Sequence, residues 1–220
     1  MPNDTRILFN ASLAGATAAA AMNWLANTDA LIIDVRRNGG GDAGTVALVC
    51  SYLFPARGRV HLNDFFIPRE QQTLQTWTLP WVPGQRYVDK PVYVLTSSRT
   101  FSAAEEFSYD LKTQGRATLV GEATGGGAHP VQPTRLTDHF GLSLPWGRAI
   151  NPVTKTNWEG TGVAPDVAVP ADQALAKAQR LALEALLARN PGPDQKRGLE
   201  MALKDLDAEF SEDMQGAQAA

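Results

Sequence analysis

The sequence is short of cysteine, of long apolar runs and of net charge, and each shortage excludes a class of protein. Only one of its 220 residues is a cysteine, Cys50, so no internal disulfide can form, and the apolar residues around it predict that it is buried. No run approaches about 18 apolar residues, which predicts a soluble chain without a membrane span. The 20 lysines and arginines against 23 acidic residues leave no basic excess, so nucleic acid is not an expected partner.

What remains is the composition of an ordinary globular protein. Hydrophobic residues make up 44% and charged residues 20% of the chain, close to the average for folded domains. A length of 220 residues suits one large domain with an appendage. We expect a domain over residues 1–190 and a C-terminal helix and tail over 191–220.

Apolar, β-branched runs alternate along the chain with segments rich in helix-forming residues. Strands are predicted over Ala30–Val35, Pro91–Leu95 and Ala117–Gly121, and helices over Leu13–Leu25, Thr45–Leu53, Ala103–Lys112 and Ala171–Arg189. This alternation predicts an α/β core with parallel strands. Residues 59–88 and 131–151 have the turn residues of β-hairpins, and 159–170 is predicted to be a loop leading into an edge strand. In the last long helix, Leu175, Leu183, Leu186 and Leu187 are expected to share the apolar side.

The first strand ends in a glycine-rich turn. Gly39–Gly44 formally matches the dinucleotide-binding pattern G-x-G-x-x-G. In that motif the first glycine closely follows the strand, whereas three residues, Arg36 to Asn38, intervene here, so a nucleotide role is not favoured. Glycines can instead expose backbone N–H groups to a developing oxyanion.

A serine opens the helix that follows the second strand. Ser102 would have a helix N-terminus beside it, which favours negative charge and suits a nucleophile. The spacing of Ser102 and Glu105 equally fits a capping box, in which the serine only caps the helix. The residues alone leave both interpretations open, although the absence of G-x-S-x-G excludes an α/β-hydrolase nucleophile elbow.

Four motifs, in order over residues 30–169, carry a resemblance to a known family: DVRRNGGG, TFSAAEEF, GEATGGGAHP and NWEGTGVAPDV. In this order the chain resembles the tail-specific (C-terminal-processing) serine proteases. It is most similar to the branch with the tricorn core protease and the interphotoreceptor retinoid-binding protein modules. The resemblance implies an α/β fold of the crotonase/ClpP-like type, a spiral of ββα units with an inserted β-hairpin and C-terminal helices. It also implies a serine-type peptidase.

The resemblance implies roles for residues at the motif positions. Ser102 matches the nucleophile, and the N–H groups of Ala103 and Gly40 match the oxyanion donors, with Gly41 the neighbouring possibility. Glu159 matches the glutamate that supports the base in the tricorn-like branch. By itself, Glu159 would be interpreted as an exposed loop carboxylate. The resemblance also implies that three residues in or beside the glycine loops border the substrate: Gly41, Gly126 and His129.

Two departures from the family concern the general base. In the serine–lysine branch the base is a lysine whose position here is Gly127, and Lys112 would lie about 15 Å from Ser102 along the same helix. In the tricorn-like branch the base is a histidine upstream of the first motif, so we expect the N-terminal part of the domain, with the base, to lie outside this chain. Of the three histidines, only His129 is brought near Ser102 by the motif order.

The resulting hypothesis is a serine peptidase acting on peptides or protein tails. No metal or cofactor is implied, an oligomer is compatible with the family, and the compartment is not specified, with export being one expectation. The alternative is a non-catalytic module for apolar ligands such as retinoids or fatty acids, its groove lined by four tryptophans: Trp77, Trp81, Trp146 and Trp158. A third hypothesis is an acyl-thioester enzyme of the crotonase type.

Overall fold

The computed structural model describes residues 11–218, with side chains over residues 15–208. Helices and strands are interspersed along the chain. The helices are α1 (Ala11–Leu25), α2 (Ala43–Leu53), α3 (Ala103–Thr113), α4 (Ala174–Leu187) and α5 (Pro193–Gln218). The strands are β1 (Leu31–Asp34), β2 (His61–Ile67), β3 (Gln72–Trp77), β4 (Val92–Thr96), β5 (Thr118–Gly121), β6 (Val131–Arg135), β7 (Gly141–Pro145), β8 (Arg148–Ile150) and β9 (Val167–Ala168).

A parallel sheet in the order β1-β4-β5-β9 is the centre of the fold. Val94 pairs with Ile33 on one side and with Leu119 on the other, and Val94 and Leu119 are fully buried. Strands covered on both faces need near-continuous apolar runs, which is why the three predicted strands are confirmed to within two residues. The predicted α/β core with parallel strands is also confirmed, and the short β9 is its edge strand.

The two faces of the sheet are covered by different helices. One face packs against the larger apolar core, in which Tyr52 of α2 and Phe107 of α3 are fully buried. The other face contacts α4 through its alanines, spaced four residues apart: Ala174, Ala178 and Ala182. Of the four leucines predicted to share the apolar side, Leu175 is exposed and Leu183, Leu186 and Leu187 are half-buried, so the leucine side is not the side that faces the sheet. Small alanine side chains allow the helix to approach the sheet closely, whereas leucines there would hold it away.

Two antiparallel pieces lie outside the central sheet. Strands β2 and β3 form the hairpin predicted within residues 59–88. In the second predicted region only β6 and β7 pair with each other, because β8 pairs with β2 instead and completes the sheet β3-β2-β8. Ala149 of β8 lies opposite Phe65 and is fully buried, so burial of this segment explains why the chain leaves the hairpin after Pro145.

The C-terminal helix α5 packs against α4. Leu206 is buried there, and Arg180 of α4 forms an ion pair with Asp207. No helix between residues 11 and 218 is long and apolar enough to cross a membrane. The same part of the chain contains no cluster of three or more histidine, cysteine or acidic side chains that could hold a metal ion.

Candidate active site

The loops that follow β1, β4 and β5 meet at one edge of the sheet. Parallel strands end at the same edge, so each of these loops begins close to the others. The N–H of Phe101 donates to the carbonyl of Asn38 at 3.0 Å, which joins the loop after β4 to the first glycine turn. The N–H of Gly125 donates to the carbonyl of Thr100 at 2.9 Å, which joins the same loop to the second glycine turn. Three of the four sequence motifs are thus in contact.

Ser102 lies at the centre of this arrangement in an unusual backbone conformation. Its φ of 54° and ψ of −123° fall in a region that residues other than glycine rarely adopt. Such conformations cost about 1–3 kcal/mol and persist only where the surrounding structure enforces them. Ser102 is also the N-cap of α3, and its carbonyl accepts hydrogen bonds from the N–H groups of Glu105 and Glu106.

The carboxylate of Glu105 links Ser102 to the second glycine loop. It is fully buried and accepts four hydrogen bonds. Oε2 accepts from the N–H of Ser102 and of Gly127, each at 2.8 Å. Oε1 accepts from the N–H of Gly126 at 2.7 Å and from the hydroxyl of Thr124 at 2.5 Å. The sequence predicts only the contact with Ser102, through the capping-box spacing; nothing in it signals the other three donors.

The first glycine turn packs directly against Ser102. A Cβ atom on Gly40 would lie 2.7 Å from the Cβ of Ser102 and 3.1 Å from the amide nitrogen of Ala103, so only glycine fits at this position. The N–H of Gly40 donates to Oδ1 of the buried Asn38 at 2.9 Å. Among the described residues, no atom accepts a hydrogen bond from the N–H of Ala103, the first residue of α3.

The second glycine loop lies against the ring of Phe101. A Cβ atom on Gly127 would be 2.2 Å from Cζ of Phe101, and one on Gly125 would be 2.7 Å from Cδ2. The ring therefore fills the space that a side chain at position 127 would need, including a lysine of the serine–lysine type. Phe101 is nevertheless 44% exposed, so an apolar surface lies next to Ser102.

The fourth motif reaches the site through Glu159. Its Oε2 accepts hydrogen bonds from the N–H groups of Ala128 at 2.7 Å and of His129 at 3.0 Å. The same oxygen is 3.8 Å from Nδ1 of the His129 side chain. The carbonyl of Gly126 accepts the N–H of Gly160 at 2.9 Å, which fastens the motif to the second glycine loop.

Other candidates for the base lie elsewhere. Lys112 forms an ion pair with Asp166 at 2.9 Å and donates to the carbonyl of Ala164. His61 lies in β2, 2.7 Å from a carboxylate oxygen of Asp64, and His139 is in the turn between β6 and β7. Within residues 15–208, no hydrogen bond joins Ser102 to a histidine.

Two further carboxyl groups of α3, those of Glu106 and Asp110, are buried one helical turn apart in the interior. Burial raises the pKa of Glu106 to about 7, and the nearby carboxylate of Asp42 acts in the same direction. Burial, with the neighbouring Glu106, raises the pKa of Asp110 well above its ordinary value. Asn63 donates to Glu106 at 3.3 Å and Asn151 to Asp110 at 3.4 Å. No local pattern in the sequence predicts that these two carboxyl groups lie together.

The four tryptophans of the ligand-binding alternative contact different partners. Trp77 stacks on His61 with ring centroids 4.3 Å apart, and Trp146 lies 6.1 Å from Phe65. Trp158 is buried beside Tyr109, whereas Trp81 is exposed. No ring contact joins two of these four tryptophans, so their packing does not support a shared groove.

Comparisons with known proteins agree with this architecture. Residues 9–169 match the family described as Peptidase family S41. The tricorn protease of Thermoplasma volcanium is 28% identical over 187 residues, which are 83% of this chain and 15% of that protein.

Two solved structures share the fold. Mature CPAF superimposes with a TM-score of 0.64 at 18% identity, over 80% of this chain and 47% of its own. The photosystem II D1 C-terminal processing protease superimposes with a TM-score of 0.57 at 21% identity, over 78% of this chain and 40% of its own. The chain therefore spans less than half of each of these three proteins.

Proposed function

We propose, from the premise that the chain belongs to peptidase family S41, that it is a serine-type peptidase acting on peptides or protein tails with Ser102 as nucleophile. The observation that carries the proposal is the strained backbone of Ser102 between two glycine loops. A serine that only capped the helix would not need this strained backbone, since an ordinary N-cap has a relaxed extended backbone. We also infer that the α/β fold is the crotonase/ClpP-like spiral, with residues 1–190 as the protease-like domain and 191–220 as its appendage.

In the proposed reaction, Oγ of Ser102 attacks the carbonyl carbon of a peptide bond while a base removes its proton. The developing oxyanion would accept a hydrogen bond from the N–H of Ala103, at the positive end of α3. A second donor would come from the first glycine turn. Because the N–H of Gly40 already donates to Oδ1 of Asn38, we place this donor at Gly41. As the C–N bond breaks, the protonated base gives its proton to the leaving amine and an acyl-enzyme ester forms, which water then hydrolyses to restore Ser102.

Glu159 is proposed to orient the histidine that acts as base. His129 is one candidate, because Nδ1 lies 3.8 Å from Glu159 and the other ring nitrogen could then accept a proton. A histidine supplied from outside residues 1–220 is the other candidate. Gly126 and His129 would also border the substrate, because they belong to the loop that Glu105 and Glu159 hold in place.

A fluorophosphonate probe, which modifies only activated serines, tests the proposal. It should be applied to this chain and to a version lengthened at the N-terminus by a histidine-bearing segment, each with Ser102→Ala, Glu159→Gln and His129→Ala. We expect labelling that Ser102→Ala abolishes and Glu159→Gln slows. Ser98→Ala is the matched control, because Ser98 lies exposed in the same loop and should label normally.

The pattern of labelling also locates the base. Labelling of the 220-residue chain that His129→Ala abolishes would assign the base to His129. Labelling that appears only in the lengthened chain would place the base outside it. A lack of labelling in both versions would contradict the proposal, and quenching of tryptophan fluorescence by retinoid or fatty acid would then favour the ligand-binding alternative.

A further inference from the structure

The hairpin formed by β6 and β7 has an unpartnered apolar face. Residues directly opposite each other in the two strands share a face, and successive pairs alternate between faces. Leu142 is paired with Thr134 and Leu144 with Gln132, and the hydrogen bond between Leu136 and Phe140 continues the same series. One face therefore carries four large apolar side chains that are 42–70% exposed, which we call the apolar hairpin face: Leu136, Phe140, Leu142 and Leu144.

An isolated two-stranded hairpin with this much exposed apolar surface is marginal in water. Every residue of both strands belongs to the exposed class, on either face of the hairpin. The opposite face carries Val131, Pro133 and Pro145 together with Ser143 and Arg135, and the Arg135 side chain is paired with Asp138 in the turn. Four of the five large exposed apolar side chains of the hairpin therefore lie on one face, which makes that face the candidate binding surface.

The edges of the hairpin are unsuited to pairing with another strand. The N–H of Leu136 donates to the carbonyl of Phe140, and the N–H of Trp146 donates to the carbonyl of Pro130. These bonds show that every second cross-strand pair directs its backbone N–H and C=O groups toward the other strand of the hairpin. The intervening cross-strand pairs direct their backbone groups away from the hairpin. Two residues of these pairs, Pro133 and Pro145, have no N–H to donate to a further strand. Strand addition by a second copy is therefore disfavoured, and binding would occur through side chains.

The position of the hairpin points to the substrate as its occupant. The hairpin begins at Val131, directly after the loop that Glu159 holds and four residues after Gly127. Four residues span at most about 14 Å, so the base of the hairpin is close to the ring of Phe101 packed on Gly127. Phe101 adds a half-exposed apolar surface immediately before Ser102. Apolar surface thus lies at both ends of the second glycine loop, and no charged residue lies on the apolar hairpin face.

We propose that Phe101 and the apolar hairpin face bind the apolar side chains of an unfolded polypeptide and lead it to Ser102. This inference rests on the proposed peptidase function and specifies its substrate class. A folded protein keeps its apolar side chains inside, whereas an unfolded chain presents them. The absence of charge on the face gives no attraction for nucleic acid or for anionic lipid.

The test is a binding measurement that needs no catalysis. In the Ser102→Ala background, fluorescence anisotropy would report binding of a reduced and carboxymethylated, permanently unfolded protein. We expect the double variant Leu142→Ser/Leu144→Ser to weaken binding roughly tenfold, because two apolar contacts are lost. Phe101→Ser should weaken binding by a smaller factor. The matched control is Val131→Ser, since Val131 is 52% exposed on the opposite face of the same hairpin and should leave affinity within about twofold.

Each other outcome contradicts the proposal in a distinguishable way. Equal weakening by Val131→Ser would show that the face has no special role, and unchanged binding by the double variant would remove the hairpin from substrate binding. A dimer in sedimentation velocity that the double variant dissociates would identify the occupant as a second copy. Fluorophosphonate labelling of Ser102 in the Val131→Ser and wild-type chains tests the peptidase function separately, so its failure can be told from failure of the binding surface. Thermal melting of each variant shows that the fold is retained.

Discussion

Glu105 accepts a hydrogen bond from the backbone N–H of Ser102, the residue three positions before it, and with the same oxygen binds the N–H of Gly127. One buried carboxylate therefore connects the strained serine to the loop that carries the Glu159 contact. Because the carboxylate is an acceptor at both oxygens, it can satisfy four donors at once, which a neutral amide cannot. We infer that Glu105 is a positioning residue, acting on Ser102 through the backbone.

Replacing Glu105 by glutamine tests this relationship. The amide NH2 would face the two donors that now bind one carboxylate oxygen, so both of them would lose their acceptor in the interior. We expect a loss of about 2–4 kcal/mol in the free energy of unfolding, since hydrogen bonds to charged groups contribute about 1.5–3 kcal/mol each. Labelling of Ser102 should fall as well. Urea denaturation measures the first effect, and a stability within about 0.5 kcal/mol of wild type would contradict the role.

The neighbouring glutamate, Glu106, is predicted to make the free energy of unfolding depend on pH. Glu106 has a pKa of about 7 when folded and 4.5 ordinarily, so the folded protein holds a proton that the unfolded chain releases between these values. The stability contributed by this proton is complete below about pH 4.5 and is lost as the pH rises through about 7, with Asp110 shifted in the same direction. We expect the free energy of unfolding to fall by roughly 3 kcal/mol across this window.

Urea denaturation at a series of pH values from 5 to 8 would measure this slope. The variant Glu106→Gln mimics the protonated carboxyl, so it should flatten the profile and be more stable than wild type at the upper end. Glu105→Gln serves as the contrast, because its effect should be destabilising throughout. A profile that rises with pH, or one that Glu106→Gln leaves unchanged, would show that the interior acid pair is ionised in the folded protein.

The packing of Phe101 on Gly127 gives a third prediction. Gly127→Ala places a Cβ within 2.2 Å of the phenyl ring, so the ring must swing away. We expect a cost of about 1–3 kcal/mol, the usual range for overpacking. In a Phe101→Ala background the same substitution should cost much less, so the two changes should be coupled in a double-mutant cycle. Gly192→Ala is the control, because nothing lies within 4 Å of a Cβ there. Additive effects of the two substitutions would exclude the contact.

Local sequence patterns predicted the parts of the fold and of the site that depend on residues close together in the chain. The buried strands were predictable because runs such as Val92–Leu95 are apolar on both faces. The sheet-facing side of α4 was not, since packing distance rather than hydrophobicity selects alanine over leucine at that contact. Local patterns could not predict the pairing of β8 with β2 either, because the two strands lie more than 80 residues apart in the chain.

In the site, too, local features were predictable from the sequence and long-range contacts were not. A helix-opening serine, followed by a glutamate at the capping position, is visible in sequence, and so are the two glycine loops. The further donors to Glu105 come from residues 19 to 22 positions later, and no local spacing signals them. Likewise, Gly127 could be recognised as replacing a lysine, but only the structure shows Phe101 filling that space.

The strained backbone of Ser102 gives the last prediction. Glycine accepts a φ of 54° with a ψ of −123° far more readily than serine, so Ser102→Gly relieves the strain. Relief of about 1–3 kcal/mol is opposed by about 1 kcal/mol from the greater freedom of glycine in the unfolded chain. We expect Ser102→Gly to be as stable as wild type or up to about 2 kcal/mol more stable, and Ser102→Ala to lie within about 1 kcal/mol of wild type. Both should abolish fluorophosphonate labelling. If Ser102→Gly were instead the less stable of the two by more than about 1 kcal/mol, Ser102 would be unstrained, and the capping interpretation of this serine would be restored.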